Sequence, residues 1–199
     1  MMSTARLETF CDGVFAIAIT LLVLIIEPPE TDSGSLAHGL VHQWPSYLAY
    51  AISFLTIGIM WVNHHEVMRH VGHTDWAFLY VNIFFLMTVA FLPYPTRIVA
   101  SNIRGHDERA AALFYGTTMT VIAVAFLALW LYPSRKGRLL RADADPAAIR
   151  GITRSFVPGT PLYAAATLVA LVSPTASLLC FAALALFYVA GSVLLARPG

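Results

Sequence analysis

From Val121 to Leu131 the chain carries no charged, amide or hydroxyl side chain, and stretches of similar character recur along its length. Membrane barrel strands alternate apolar and polar residues over about ten positions. An unbroken apolar run does not alternate, so these segments read as helices. A spanning helix needs about 20 mostly apolar residues, so 199 residues hold at most about six or seven crossings and almost no domain outside the membrane. Composition agrees. The chain is 58% hydrophobic and only 12% charged, with a mean hydropathy of +0.72, where a soluble domain carries about 25% charged residues. That excludes a soluble enzyme, a disordered chain and a nucleic-acid binder. The formal net charge of +1 is too near zero to steer a polyanion. Cys11 and Cys180 both lie in apolar stretches and point to neither a disulfide framework nor a zinc site.

Six apolar segments make residues 1–199 a single all-α membrane domain. Helix 1 runs from about 4 to 26 and stops at Glu27-Pro28-Pro29, because proline cannot continue a helix. Helix 2 covers about 45–69, with proline in its first turn. Helix 3 covers about 74–92 and meets Pro93-Tyr94-Pro95, a kink or an end. Helices 4, 5 and 6 cover about 107–132, 155–172 and 174–197, the last two joined in a tight hairpin at Ser173-Pro174. Helix 1 does not read as a cleaved leader. One arginine flanks it, and Glu27 to Glu30 stands where a small-residue cleavage site belongs. Basic residues in short loops set orientation. With the N-terminus inside, the inner side holds Arg6, Arg69, Arg135, Lys136, Arg138, Arg141, Arg150, Arg154 and Arg197; the outer side holds Arg97, Arg104 and Arg109. The loop after helix 1 holds Glu27, Glu30 and Asp32 without Lys or Arg. Both termini are therefore expected in the cytoplasm. The loop from Pro133 to Arg154 is basic and too short for a sensor domain.

Ionisable groups within a span are costly and mark function. Helix 1 carries Arg6, Glu8 and Asp12. Arg6 and Glu8 reach the headgroups. Asp12 sits roughly 9 Å deeper than Arg6 at 1.5 Å per residue, so it needs a buried partner. Trp61, Asn63, His64 and His65 on helix 2 and Asn82 on helix 3 share its depth, and His64, Trp61 and Asn82 are the candidate partners. On a wheel of about 100° per residue, Arg6, Phe10, Gly13, Ile17, Leu21 and Leu24 form one stripe. Thr20 lies beside it, and Asp12 lies roughly opposite. A lipid-facing helix would show such a seam without meaning. Around a symmetry axis the same seam would stack into hydrophobic rings, which gate pores by dewetting.

Arg6-x-x-x-Phe10-Cys11-Asp12 resembles the R-x-x-x-F-S-D signature that opens the first helix of the transmembrane protein 175 family, the endolysosomal potassium channels and their bacterial homologues. Trp61-x-x-His64 resembles the family's second-helix pattern. Asn82 with Phe91-Leu92-Pro93-Tyr94-Pro95-Thr96 resembles its third helix and proline turn. Cys11 replaces the family's serine, and a thiol is the poorer donor. The signature occurs once, as in the single-repeat bacterial members. The resemblance implies a homotetramer of six-helix subunits in the bacterial plasma membrane, with helix 1 lining a potassium-permeable pore. Ile17, Leu21 and Leu24 would be its constrictions. Thr20 would be a possible ion ligand, and Glu27 an outer carboxylate ring. The signature network would comprise Arg6, Phe10, Cys11, Asp12, Trp61, His64 and Asn82. Partners would be further copies of the chain, lipid and monovalent cations, with no cofactor beyond the permeant ion. No T-V-G-Y-G loop is present.

Two other classes compete. A proton-coupled transporter would use Asp12 and His64 as a relay, but such folds show internal repeats and this chain shows none. A membrane metalloenzyme would use Glu66, His70 and His73, at i, i+4, i+7. Gly72 interrupts that spacing, which favours a solvated turn.

Overall fold

The computed structural model describes residues 4–29, 35–103 and 105–195. Glu30, Asp32, Arg104 and Arg197, part of the charge count above, lie outside the described residues, as does the side chain of Lys136. The chain folds into α1 (Thr4–Leu21), continued by a 3₁₀ turn (Leu22–Ile25), then α2 (Leu36–His42), α3 (Trp44–His70), α4 (Trp76–Phe91) and α5 (Pro93–Asn102). It ends with α6 (Glu108–Ser134), a 3₁₀ turn (Arg135–Gly137), α7 (Pro146–Phe156), α8 (Gly159–Val169) and α9 (Pro174–Leu195).

Four helical rods are long and apolar enough to cross a membrane: Thr4–Ile25, Trp44–His70, Trp76–Asn102 and Glu108–Ser134, of 22, 27, 27 and 27 residues. At 1.5 Å per residue they reach roughly 33 to 40 Å, against a hydrocarbon core of about 30 Å. Pro174–Ala190 is a shorter apolar helix. The third rod shows that the helical run continues past Pro93. Leu92 keeps helical dihedrals and Thr96 N–H still reaches the Leu92 carbonyl at 3.2 Å.

The segment read as one helix over about 155–172 is the main departure. The structure divides it at Val157-Pro158 into the end of α7 and the shorter α8. Proline lacks the N–H that would carry the helical bond across the break. The stretch from Pro133 to Arg154 is thus partly helical. Asp145 caps α7, accepting from Ala147 N at 2.9 Å and Ala148 N at 3.4 Å. Ahead of α7, Gly137 takes φ 63°, a left-handed value suited to glycine, to turn the chain back. The returning strand meets the α3–α4 turn. Gly72 N–H donates to the Leu139 carbonyl at 2.9 Å and Arg141 N–H to the His70 carbonyl at 3.0 Å.

α1, α3, α4 and α6 surround a core that includes Phe15, Phe78, Phe85, Ile122, Leu129 and Trp130, all buried. α8 and α9 pack on α6, while α3 also meets α9. The indole of Trp130 donates to Thr153 Oγ1 at 2.9 Å, fastening α7 to the end of α6.

Candidate functional site: helix 1 and the polar cluster beneath it

α1 is sharply two-sided. Leu7, Cys11, Phe15 and Ala18 are buried on the side that packs toward α3 and α4, and Leu22 and Ile25 of the 3₁₀ turn are buried toward α3 and α5. Ile17, Leu21 and Leu24 are 61%, 42% and 66% exposed in the single chain, and Phe10 is 55% exposed. Arg6, Gly13 and Thr20 lie on that same open side. The 3₁₀ turn matters to the seam. In an α-helix Leu24 would fall about 60° short of Leu21, whereas residues three apart eclipse in a 3₁₀ turn. The tightening keeps the two leucines in line.

The expected cluster beneath this helix exists, but it is wired differently. Asp12 does take a partner from α3. The Trp61 indole N–H donates to Asp12 Oδ1 at 2.8 Å. The pair sits at the open edge of the α1–α3 seam, with Asp12 exposed and Trp61 44% exposed. The expectation of a buried Asp12 therefore fails, because position 12 turns roughly 100° away from buried Cys11.

His64 and Asn82 do not bond to Asp12. His64 Nε2 meets Asn82 Oδ1 at 2.9 Å, and Asn82 Nδ2 donates to Cys11 Sγ at 3.1 Å. The amide geometry assigns the tautomer: with Nδ2 donating to the thiol, Oδ1 is the acceptor and His64 carries its proton on Nε2. All three residues are buried, at 2%, 0% and 0% exposure. The His64 ring stacks on Phe85 at 6.0 Å between centroids and lies 5.5 Å from Phe15. Cys11, which the sequence marks only as a departure from serine, is thus the acceptor that fixes α1 to α4. Arg6 is exposed and forms no ion pair among the described residues.

At the other end of α1, Glu27 forms an ion pair with Arg97 of α5, and its carbonyl accepts from Gln43 Nε2 at 2.6 Å. Neither partner was singled out from the sequence. Arg97 figured only as an outer charge, and no local spacing links positions 70 residues apart. Thr20 Oγ1 donates to the Ile17 carbonyl at 2.9 Å, so its proton is engaged by its own helix.

The metalloenzyme reading finds no support. α3 ends at His70, which leaves His73 beyond the helix, and the His70 ring turns to the Glu66 carbonyl at 2.9 Å. Among the described residues no group of three or more His, Cys, Asp or Glu is arranged to hold a metal ion.

Outside the membrane rods, Asp75 organises the α3–α4 turn. It accepts from Phe78 N–H at 2.8 Å as the cap of α4, from Tyr132 Oη at 2.8 Å, and lies 3.7 Å from Arg138. The backbone N–H of Phe78 first, and then Tyr132 and Arg138, hold its carboxyl below the ordinary carboxylate value.

Comparison with known proteins agrees with the residue pattern. Residues 6–93 match the family model described as endosomal/lysosomal potassium channel TMEM175. A protein named as a potassium channel from Streptomyces collinus is 44% identical over 192 residues, covering 94% of this chain and 92% of the relative. One from Chamaesiphon minutus, also named as a potassium channel, is 42% identical over 173 residues, covering 85% of each. The crystal structure of a lysosomal potassium-selective channel TMEM175 homolog from Chamaesiphon minutus superposes with a TM-score of 0.87 at 37% identity, over 95% of this chain and 97% of that one. The chain belongs to the TMEM175 potassium channel family.

Proposed function

We propose that this chain is the subunit of a potassium-permeable cation channel in which α1 lines a pore shared between copies. The observation that carries this is the division of α1 into a face locked to the bundle through Cys11 and Phe15 and an open face bearing Ile17, Leu21 and Leu24. A homotetramer would bring four such faces around one axis as successive aliphatic rings. In the proposed topology α1, α3, α4–α5, α6, the stretch 155–172 that includes the 11-residue α8, and α9 make six crossings of a bacterial plasma membrane, with both termini cytoplasmic.

The rings offer an ion no ligands, so the barrier is set by ring width and by wetting, without a carbonyl filter. Thr20 keeps only oxygen lone pairs for a passing cation, its proton being donated to the Ile17 carbonyl. Glu27 brings Arg97 with it to the outer opening, which weakens any acidic ring there. A relay between Asp12 and His64 has less to recommend it, since Asp12 bonds Trp61 and His64 bonds Asn82.

Planar-bilayer recording with potassium opposed to sodium tests the proposal. Leu21→Ala should raise conductance and weaken discrimination, with comparable changes at Ile17 and Leu24. Alanine at Ile19, on the far side of the wheel, should do little. Sensitivity at Ile19 with indifference at the three seam positions would mean that α1 is rotated from this assignment. A conducting monomer in native mass spectrometry would overturn the tetramer.

A further inference from the structure

α2 is a short helix whose place is set by two contacts with the segment that follows α1. A Cβ on Gly39 would lie 2.6 Å from Cβ of Pro29, so only glycine allows the helix to sit this close. At its end, Gln43 Nε2 donates to the Glu27 carbonyl. So fixed, α2 turns His38 and His42 outward on one face, four residues apart. Their rings stand 5.2 Å apart between centroids and 23° from parallel. Both are exposed, and neither side chain is engaged in a hydrogen bond among the described residues.

Two imidazoles at i and i+4 on a helix are a recurrent chelate, since a ring nitrogen of each can meet one ion at about 2.0–2.1 Å. Neutral imidazole suits nickel, copper and zinc. We propose that His38 and His42 form a two-histidine site for a late divalent transition-metal ion, and that its occupancy holds back cation entry at the outer mouth. With two protein ligands and no cluster of three or more metal-binding side chains among the described residues, water completes the coordination. Such a site loads and empties reversibly, as a regulator does and a structural zinc does not. The binding half of the proposal stands on the histidine geometry alone. The effect on current rests on the pore proposed along α1, because α2 is tied to Glu27, three residues beyond Leu24. A divalent charge there repels an incoming monovalent cation, and Arg97 already offsets the Glu27 carboxylate that would oppose it.

The test uses the full chain with any purification tag removed, and Ni²⁺ alone as the probe. Calorimetry in detergent should find one high-affinity ion per chain, weakened roughly tenfold or more in each of His38→Ala and His42→Ala. Both positions are exposed, and unchanged thermal unfolding will show that the variants fold. Ni²⁺ added to the outer chamber should reduce wild-type current and leave the variants' current unaltered. Absence of binding, or equal binding by wild type and both variants, overturns the site. Binding lost in the variants, with wild-type current indifferent to Ni²⁺ on either side, leaves the chelate standing and overturns its place beside the mouth. A chain that binds Ni²⁺ through these histidines yet carries no current sinks the channel reading and not the site.

Discussion

The α1–α4 seam and the α6–α8 seam hold helices together by different means. Between α1 and α4 a named donor meets a named acceptor: the amide of Asn82 on the thiol of Cys11, with His64 of α3 behind it. Between α6 and α8 the backbones approach closely. A Cβ on Gly116 would lie 2.8 Å from Thr167 Oγ1, and the Thr120 and Thr167 hydroxyls meet at 2.9 Å, one donating to the other while the acceptor's own proton goes to a carbonyl of its helix. Small-residue packing of this kind drives membrane helices together and fixes distance. Directed hydrogen bonds, which both seams carry, also fix rotation. α1 needs that, because a slip of one residue turns its seam by about 100° and carries Ile17, Leu21 and Leu24 off the open face.

The largest expected effect comes from breaking the first seam. Asn82→Ala orphans the buried Nε2–H of His64 and releases Cys11, at a cost of about 3 kcal/mol. Thermal unfolding in detergent should register the loss, and the surviving protein should discriminate poorly between potassium and sodium. Gly116→Val attacks the other seam by overpacking, at a cost of about 2 kcal/mol. Here unfolding should shift while ion discrimination stays at the wild-type value. Altered discrimination in Gly116→Val, or unaltered discrimination in Asn82→Ala, would erase the contrast between the seams. Trp61→Phe removes only the exposed bond to Asp12 and should cost about 1 kcal/mol. In a double-mutant cycle Asp12→Asn should add little to it.

The smallest effect lies at the α3–α4 turn and concerns pH. Asp75 has a folded-state carboxyl pKa held below its ordinary 3.8. Its stabilisation is therefore complete above about that value and is lost as pH falls through the lowered one. Asp75→Asn keeps a capping oxygen for α4 but lacks the charge, so it should be less stable than wild type at neutral pH and converge with it in acid, flattening the acid limb of unfolding in that window. An acid limb identical in both proteins would show that the turn does not depend on this charge.

The spans read readily from sequence because a membrane helix must satisfy its own backbone and face lipid with apolar side chains, both visible residue by residue. The wheel likewise separated the seam of α1, since helical geometry fixes which side chains share a face. The hydropathy reading went astray at positions 155–172, where the apolar run continues across Val157-Pro158 although the helix is interrupted there. Asp12 misled for another reason. Its place along α1 does bring it level with Trp61, but position along a helix does not tell whether a side chain turns inward or out.

By itself, then, the sequence determined what is local or periodic: a helical membrane domain, the family signature around Arg6, Phe10 and Asp12, and the stripe from Phe10 to Leu24. Only the tertiary structure decided the pairings. Trp61 goes to Asp12, Asn82 goes to both His64 and Cys11, Arg97 and Gln43 go to Glu27, and His38 stacks on His42. Asp12, His64 and Asn82 offered several chemically acceptable matches at one depth. Choosing among them depends on helix rotation to within a fraction of a turn, and that is set by how Phe15, Phe85 and their neighbours pack.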